Sequence, residues 1–154
     1  MVYLVRHAHA GRKAAWPGPD NARPLSPAGR QQAAGLIDRL SGYPVDRILS
    51  GPAVRCLQTV EPLASHRGLR VEVADALAVD GSEGGVLRLL EDRALRGAVL
   101  CTHGEVIGRI FERLRAEGLE LGPQARWAKG STWVLGRDGD RVAQASYLEP
   151  LAAS

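Results

Sequence analysis

Apolar residues in this chain follow two rhythms that take turns. Short unbroken runs stand at residues 2–5, 48–49 and 98–101, and each is followed by a stretch in which apolar positions recur every three or four residues. An unbroken run is what a strand buried on both faces presents, whereas three-to-four spacing lays one apolar stripe along a helix. The pattern predicts strands over 2–5, 46–49, 71–73 and 97–101. Helices are predicted from Ser26-Pro27 through the stripe Ala33, Leu36, Ile37 and Leu40, and over 53–66. Two more follow, over 83–93 with Val86, Leu87 and Leu90 inward, and over 105–117 with Ile107, Ile110, Phe111 and Leu114. Ser26 caps and Pro27 fits the first helical position. Pro62, which has no N–H to give, is expected to kink the second helix or end it early.

The tail changes rhythm. Residues 132–136 and 141–148 flank Asp138-Gly139, a dipeptide suited to a tight hairpin. Strand–helix alternation followed by a hairpin predicts an α/β fold: a single-domain three-layer sandwich with a mostly parallel central sheet, helices on both faces and a C-terminal antiparallel hairpin. No repeat, low-complexity tract or linker divides residues 1–154, so one domain is the economical reading, at a length that can bury a real core.

Between the first strand and the first helix lies a loop over residues 10–25, long enough to be uncommon unless it is functional. It is expected to face a ligand, with Lys13 offering charge and Trp16 a flat apolar surface; the plainer alternative is that Trp16 packs the loop down. Composition adds bounds. Hydrophobic residues make up 45% and charged residues 24%, with a net charge of +3, and the twenty basic residues are scattered, which argues against a nucleic-acid surface. Only Lys13 and Lys129 among them are lysines, a bias read as compositional background. Cys56 and Cys101 fit neither a metal-ligand pattern nor a disulfide scaffold. With no signal-peptide pattern after Met1 and no apolar run of membrane-spanning length, a reducing cytoplasm is expected and a membrane partner is not.

Three segments at predicted strand ends carry the chemistry: Arg6-His7, Ser50-Gly51-Pro52-Ala53-Val54-Arg55-Cys56-Leu57-Gln58-Thr59, and His103-Gly104. Open α/β sheets present ligand-binding groups at strand ends. A phosphate monoester dianion repels nucleophiles, so fixed positive charge must surround its oxygens before attack, and the planar fork of arginine matches two of them. Arg6 and Arg55 suit that task. His7 would attack as a neutral ring whose proton affinity the arginines depress by like-charge repulsion, with a carbonyl or water holding its other nitrogen. His103 reads as a second, protonated phosphate ligand, and the N–H of Gly104 as an anion donor at a helix start. A cysteine phosphatase needs Cys-x5-Arg, but Ile107 and Pro62 stand six residues after Cys101 and Cys56.

In order and spacing these segments resemble the signature of the histidine phosphatase superfamily: an early Arg-His, a middle Ser-x-x-x-Arg-x-x-Gln-Thr and a late His-Gly. The resemblance runs from residue 2 to about residue 148. It implies a phosphoglycerate mutase-like fold and a phosphatase that needs no metal or other cofactor, with a phosphohistidine intermediate on His7 and Arg6, Arg55 and His103 as catalytic partners. Many relatives carry a glutamate as general acid after the third strand, where this chain has Ala78 and Val79. Asp80, Glu83 and Asp20 are the nearest substitutes, each also readable as an ordinary solvated acid. That departure and the short length resemble the small SixA-like branch, which includes protein phosphohistidine phosphatases. The stretch from Arg6 to Lys13, with Trp16 and Arg23-Pro24-Leu25, is also similar to the phosphatase half of actinobacterial two-domain Nudix hydrolases. The implied partners are a phosphorylated small molecule or a phosphohistidine protein, with a separate Nudix-type enzyme as a further candidate. His9 is expected at the pocket border. If the strand continued past His7, His7 and His9 would share a face, so a metal-dependent hydrolase stands as a rival, and a non-catalytic phosphate-binding regulator as another.

Overall fold

In the computed structural model the described residues are 1–123 and 125–151, with the side chain of Glu83 excluded. The chain runs β1 (Val2–Arg6), α1 (Pro27–Arg39), β2 (Arg47–Ser50), α2 (Val54–Arg67), β3 (Val71–Val73), α3 (Glu83–Glu91), β4 (Ala98–Thr102), α4 (Gly104–Ala116), β5 (Thr132–Asp138) and β6 (Arg141–Leu148). These strands form one sheet in the order β3-β2-β4-β1-β5-β6. The first four in that order are parallel, and β5 and β6 add an antiparallel edge beside β1.

Alternation along the strands sorts side chains between two layers. Tyr3, Val5, Ile48, Val99 and Cys101 pack with Leu36, Leu40, Val60 and Leu63 of α1 and α2. Val2, Leu4, Leu49 and Leu100 pack with Val86, Leu90, Ile107, Ile110 and Phe111 of α3 and α4. Every residue of β4 is buried, as expected of a parallel strand covered on both faces. Neighbours β1 and β4 therefore send their following helices to opposite faces. The strand ends diverge there, opening the crevice in which α/β sheets bind ligands.

Local chemistry sets the element ends. The Ser26 hydroxyl accepts from the Gly29 N–H at 3.1 Å, capping α1 as expected. Pro62 does not end α2: the helix runs on to Arg67 and stops at Gly68, at φ +67°. Pro62 and Gln58, whose carbonyl loses its N–H partner, both lie half-buried and line a cavity beside Arg30 and Ala33 of α1. Loop 10–25 is less irregular than expected, since it contains short 3-10 turns at Lys13–Ala15 and Asp20–Ala22.

Candidate active site

Parallel pairing sets Arg6 beside Thr102, and the His7 N–H donates to the Thr102 carbonyl at 2.9 Å. One step beyond the two strands the rings of His7 and His103 meet edge to face, 5.3 Å between centroids. His7 is buried, and its Nδ1 donates to the carbonyl of Ala8 at 2.8 Å, which leaves the Nε2 lone pair unprotonated. The ring's pKa falls to about 3. Burial is the largest cause; the Ala8 carbonyl opposes it, and His103, Arg55 and Arg6 add to it. Desolvation thus outweighs the like-charge repulsion expected from the arginines.

Arg6 donates from Nη1 to the Trp127 carbonyl at 2.8 Å, while its buried Nε has no partner. Arg55, only 4% exposed, donates from Nη1 to the Asp20 carbonyl at 2.8 Å and from Nη2 to the Asp20 carboxylate at 3.0 Å. Its Nε is also buried without a partner. An unmet buried donor costs about 1–3 kcal/mol. Arg55 Nη2 also lies 3.4 Å from His103 Nδ1, and a guanidinium only donates. The ring's other nitrogen lies 3.6 Å from Cys56 Sγ.

Gly104 acts differently from the expectation. A Cβ there would stand 2.7 Å from Cζ and Nε of Arg6, so the missing side chain is what lets the guanidinium lie across the start of α4. Gly104→Ala is therefore expected to leave thermal stability within about 1 kcal/mol, because the clashing atoms end a flexible side chain, yet to cut kcat/KM roughly tenfold or more by displacing a charge partner. Unchanged kcat/KM alongside an unchanged Tm would remove this account of the glycine.

One cavity is lined by Arg6, His7, Gly11, Lys13, Asp20, Arg23, Arg55, Val79, His103, Glu105 and Lys129. Lys13 is where the sequence put it. His9 is not, because the chain leaves the strand after Arg6: its Nδ1 lies 2.6 Å from the Ser26 hydroxyl and its N–H donates to Gln32 at 2.9 Å. His7 and His9 thus face different partners, and no group of three His, Cys, Asp or Glu side chains suited to a metal occurs among the described residues. Trp16 does not line this cavity but an adjoining one that shares Gly11 and Arg23 with it. Its indole donates to the Pro19 carbonyl at 2.9 Å and covers Gly18, pinning its own loop.

Asp20 reaches the cavity, but in the wrong state for a proton donor. Partial burial favours its neutral form, and the hydrogen bond from Arg23 with the charges of Arg55, Arg23 and Lys13 outweighs that, holding the carboxyl below its usual range. Asp80 is exposed and does not line the cavity, whereas Glu83 opens α3 with a side chain outside the described residues.

The family model of the histidine phosphatase superfamily (branch 1) matches residues 2–78, half of the chain. The chain belongs to that superfamily. It is 35% identical over 156 residues to an 8-oxo-(d)GTP phosphatase of Mycolicibacterium smegmatis, a match covering 97% of this chain and 48% of that protein. The chain thus spans about half the length of that relative. Among solved structures it resembles a putative phosphohistidine phosphatase SixA from Agrobacterium tumefaciens, at TM-score 0.75 and 27% identity over 97% of each chain. The histidine phosphatase SixA complexed with tungstate has the same fold, at TM-score 0.72 and 20% identity over 99% of this chain and 96% of that one.

The histidine phosphatase motif on α2 has a physical reading. Arg55 reaches the cavity, Gln58 accepts from the Leu25 N–H at 2.8 Å, and Thr59 accepts from the Ala8 N–H at 2.9 Å while donating to the Arg55 carbonyl at 2.7 Å. One helical stretch thus holds a guanidinium, the far end of the loop and the turn carrying His7. Sequence reading passed over Arg23, Glu105, Lys129, Gln58 and Thr59 as site residues. For the last two the signal was present, since both stand inside the motif.

Proposed function

We propose that this chain is a phosphohydrolase working through a phosphohistidine on His7. The observation that carries the reading is the His7 ring, with Nδ1 spent on the Ala8 carbonyl and Nε2 left with its lone pair, beside two guanidinium groups whose Nε donors lack partners. In the first step Nε2 attacks phosphorus, the P–N bond forms, and the bond to the leaving group breaks with its electron pair. Water then cleaves the P–N bond and releases phosphate. Arg6 and Arg55 neutralise the equatorial oxygens, and His103 contributes from the facing strand end. Substrates in this reading are a phosphorylated small molecule, nucleotides included, or a phosphohistidine protein, with neither nucleic acid nor membrane as partner. Residues 1–154 act as one catalytic domain. A separate Nudix-type enzyme alongside it has its support in the sequence resemblance and in the doubled length of the mycobacterial relative.

The reading is tested by a panel of phenyl phosphate, phosphohistidine peptide, nucleoside phosphates, sugar phosphates and phosphoglycerate, assayed with and without EDTA. Turnover is expected on at least one compound and unchanged by chelation, because fixed cations already surround the phosphoryl site. Activity lost to EDTA and restored by zinc or manganese would favour the metal-dependent alternative. Binding of phosphate without turnover on any compound would favour a regulator.

A further inference from the structure

We infer that the cavity contains a second anion subsite, built from Lys13, Arg23 and Lys129, that receives the phosphate of the leaving group and makes phosphoanhydrides the substrate class. The inference rests on the His7 reading above. With Arg6 and Arg55 assigned to the transferred phosphoryl group, three cations still line the same cavity. Five lysine and arginine side chains line it against two carboxylates, so positive charge stays in excess even with Asp20 shared by Arg55 and Arg23, and no ion pair within the described residues joins Glu105 to a lysine. A monoester dianion is met by the two arginines alone, whereas a chain of linked phosphates brings charge for the rest.

These cations are held in place by the fold. The Gly130 N–H, at φ +82°, donates to the carbonyls of both Arg6 and His7 at 3.1 Å, which fixes the turn carrying Lys129 to the backbone of the nucleophile. Arg23 is 12% exposed and donates to the Ala10 carbonyl at 2.8 Å and to Asp20 at 3.1 Å. Lys13 opens a 3-10 turn of the same loop. The chain has only two lysines among its twenty basic residues, and both line this cavity. A flexible, strongly hydrated ammonium suits a phosphate that must leave, as a bidentate guanidinium clamp does not.

Asp20, held ionised by its arginines, and Asp80, exposed and outside the cavity, are not placed to give a proton, which agrees with this charge pattern. An alkoxide leaving group without a proton donor forfeits about two to four orders of magnitude, but a phosphate departs as a stable anion. His7 Nε2 would attack the terminal phosphorus, and the bridging oxygen would leave with the electron pair on the remaining phosphate, where the lysines meet the growing charge. Water would then release inorganic phosphate from His7.

The test compares kcat/KM for inorganic tripolyphosphate, phenyl phosphate and a phosphohistidine peptide in wild type and in the Lys13→Met/Lys129→Met double variant. Both side chains reach solvent, so their loss does not open the core. Wild type is expected to prefer tripolyphosphate, releasing orthophosphate and diphosphate. The double variant is expected to lose at least about tenfold more on tripolyphosphate than on phenyl phosphate. Equal losses on the two, or a wild-type preference for phenyl phosphate or for the peptide, would overturn the subsite. Failure of the His7 reading shows separately, as turnover of phenyl phosphate that survives His7→Ala or as no turnover of any probe.

Discussion

His7→Ala is expected to abolish measurable turnover on every substrate while the protein folds as before. The ring sits at the crevice rather than in either packed layer, and its main structural tie, from Nδ1 to the adjacent carbonyl of Ala8, is local. Its loss therefore removes the nucleophile without opening the core. No other nucleophile takes its place: the neighbouring cysteines are fully buried, and His103 is tied between Arg55 and Cys56. Two further measurements bear on the same group. Rapidly quenched wild type should carry an acid-labile, base-stable phosphate on His7, and phosphate found on serine, threonine or cysteine would point to another route. Since the His7 pKa is lowered to about 3, the nucleophile stays neutral from weakly acidic to alkaline pH, so kcat/KM should show no acid limb near 6.5 from this ring. The sign for folding runs the same way. An unfolded His7 takes up its proton near its ordinary value and the folded one only near 3, so this ring's contribution to stability is intact above about pH 6.5 and declines as pH falls towards 3.

Arg55→Ala should be the most damaging change outside His7, costing roughly a hundredfold or more in kcat/KM. It does more than remove one cation. Asp20 would keep its carboxylate, now held by Arg23 alone, and would repel the dianion that Arg55 attracted. Arg55→Lys should rescue little, because one ammonium cannot hold the Asp20 carbonyl and the Asp20 carboxylate as the planar fork does and still meet an anion. Adding Asp20→Asn to Arg55→Ala should recover part of the loss in KM while kcat stays low, a non-additivity expected of groups in direct contact. Arg6→Ala should also lose about a hundredfold, with no carboxylate losing an ion pair among the described residues. Additive behaviour of Arg55→Ala and Asp20→Asn would show that the two do not share one site.

The elements and their parallel arrangement were legible because burial on both faces writes itself as unbroken apolar runs, and amphipathic helices as stripes. The quartet was legible because Arg6 ends β1, His7 and His103 stand just past β1 and β4, and Arg55 lies in the first turn of the helix after β2. What the sequence hid depends on geometry between distant segments. Lys129 enters the cavity only because Gly130 bonds back to β1, and Glu105 looks like any acid in the first turn of a helix. His9 misled because the i, i+2 rule assumes a strand that continues, whereas the Ser26 N–H pairs with the His9 carbonyl and turns the chain towards α1. Trp16 offered the surface of a ligand contact, and its bond to Pro19 cannot be read from neighbours in sequence.

The strand order carries a consequence for how the molecule comes into being. β4 lies between β2 and β1, although it is made long after both. Until residues 98–102 insert, β1 and β2 each present an open edge, and the middle of the sheet is a gap. His103 stands at the end of the strand that fills that gap, so the pairing that closes the sheet is also the one that brings it to His7. Contacts so far apart in sequence form slowly, because the intervening chain must be ordered first. A chain still emerging from the ribosome, or one cut short before β4, would hold Arg6, His7 and Arg55 without a partner strand to align them. Such a fragment has exposed edges to protect and no catalysis to offer.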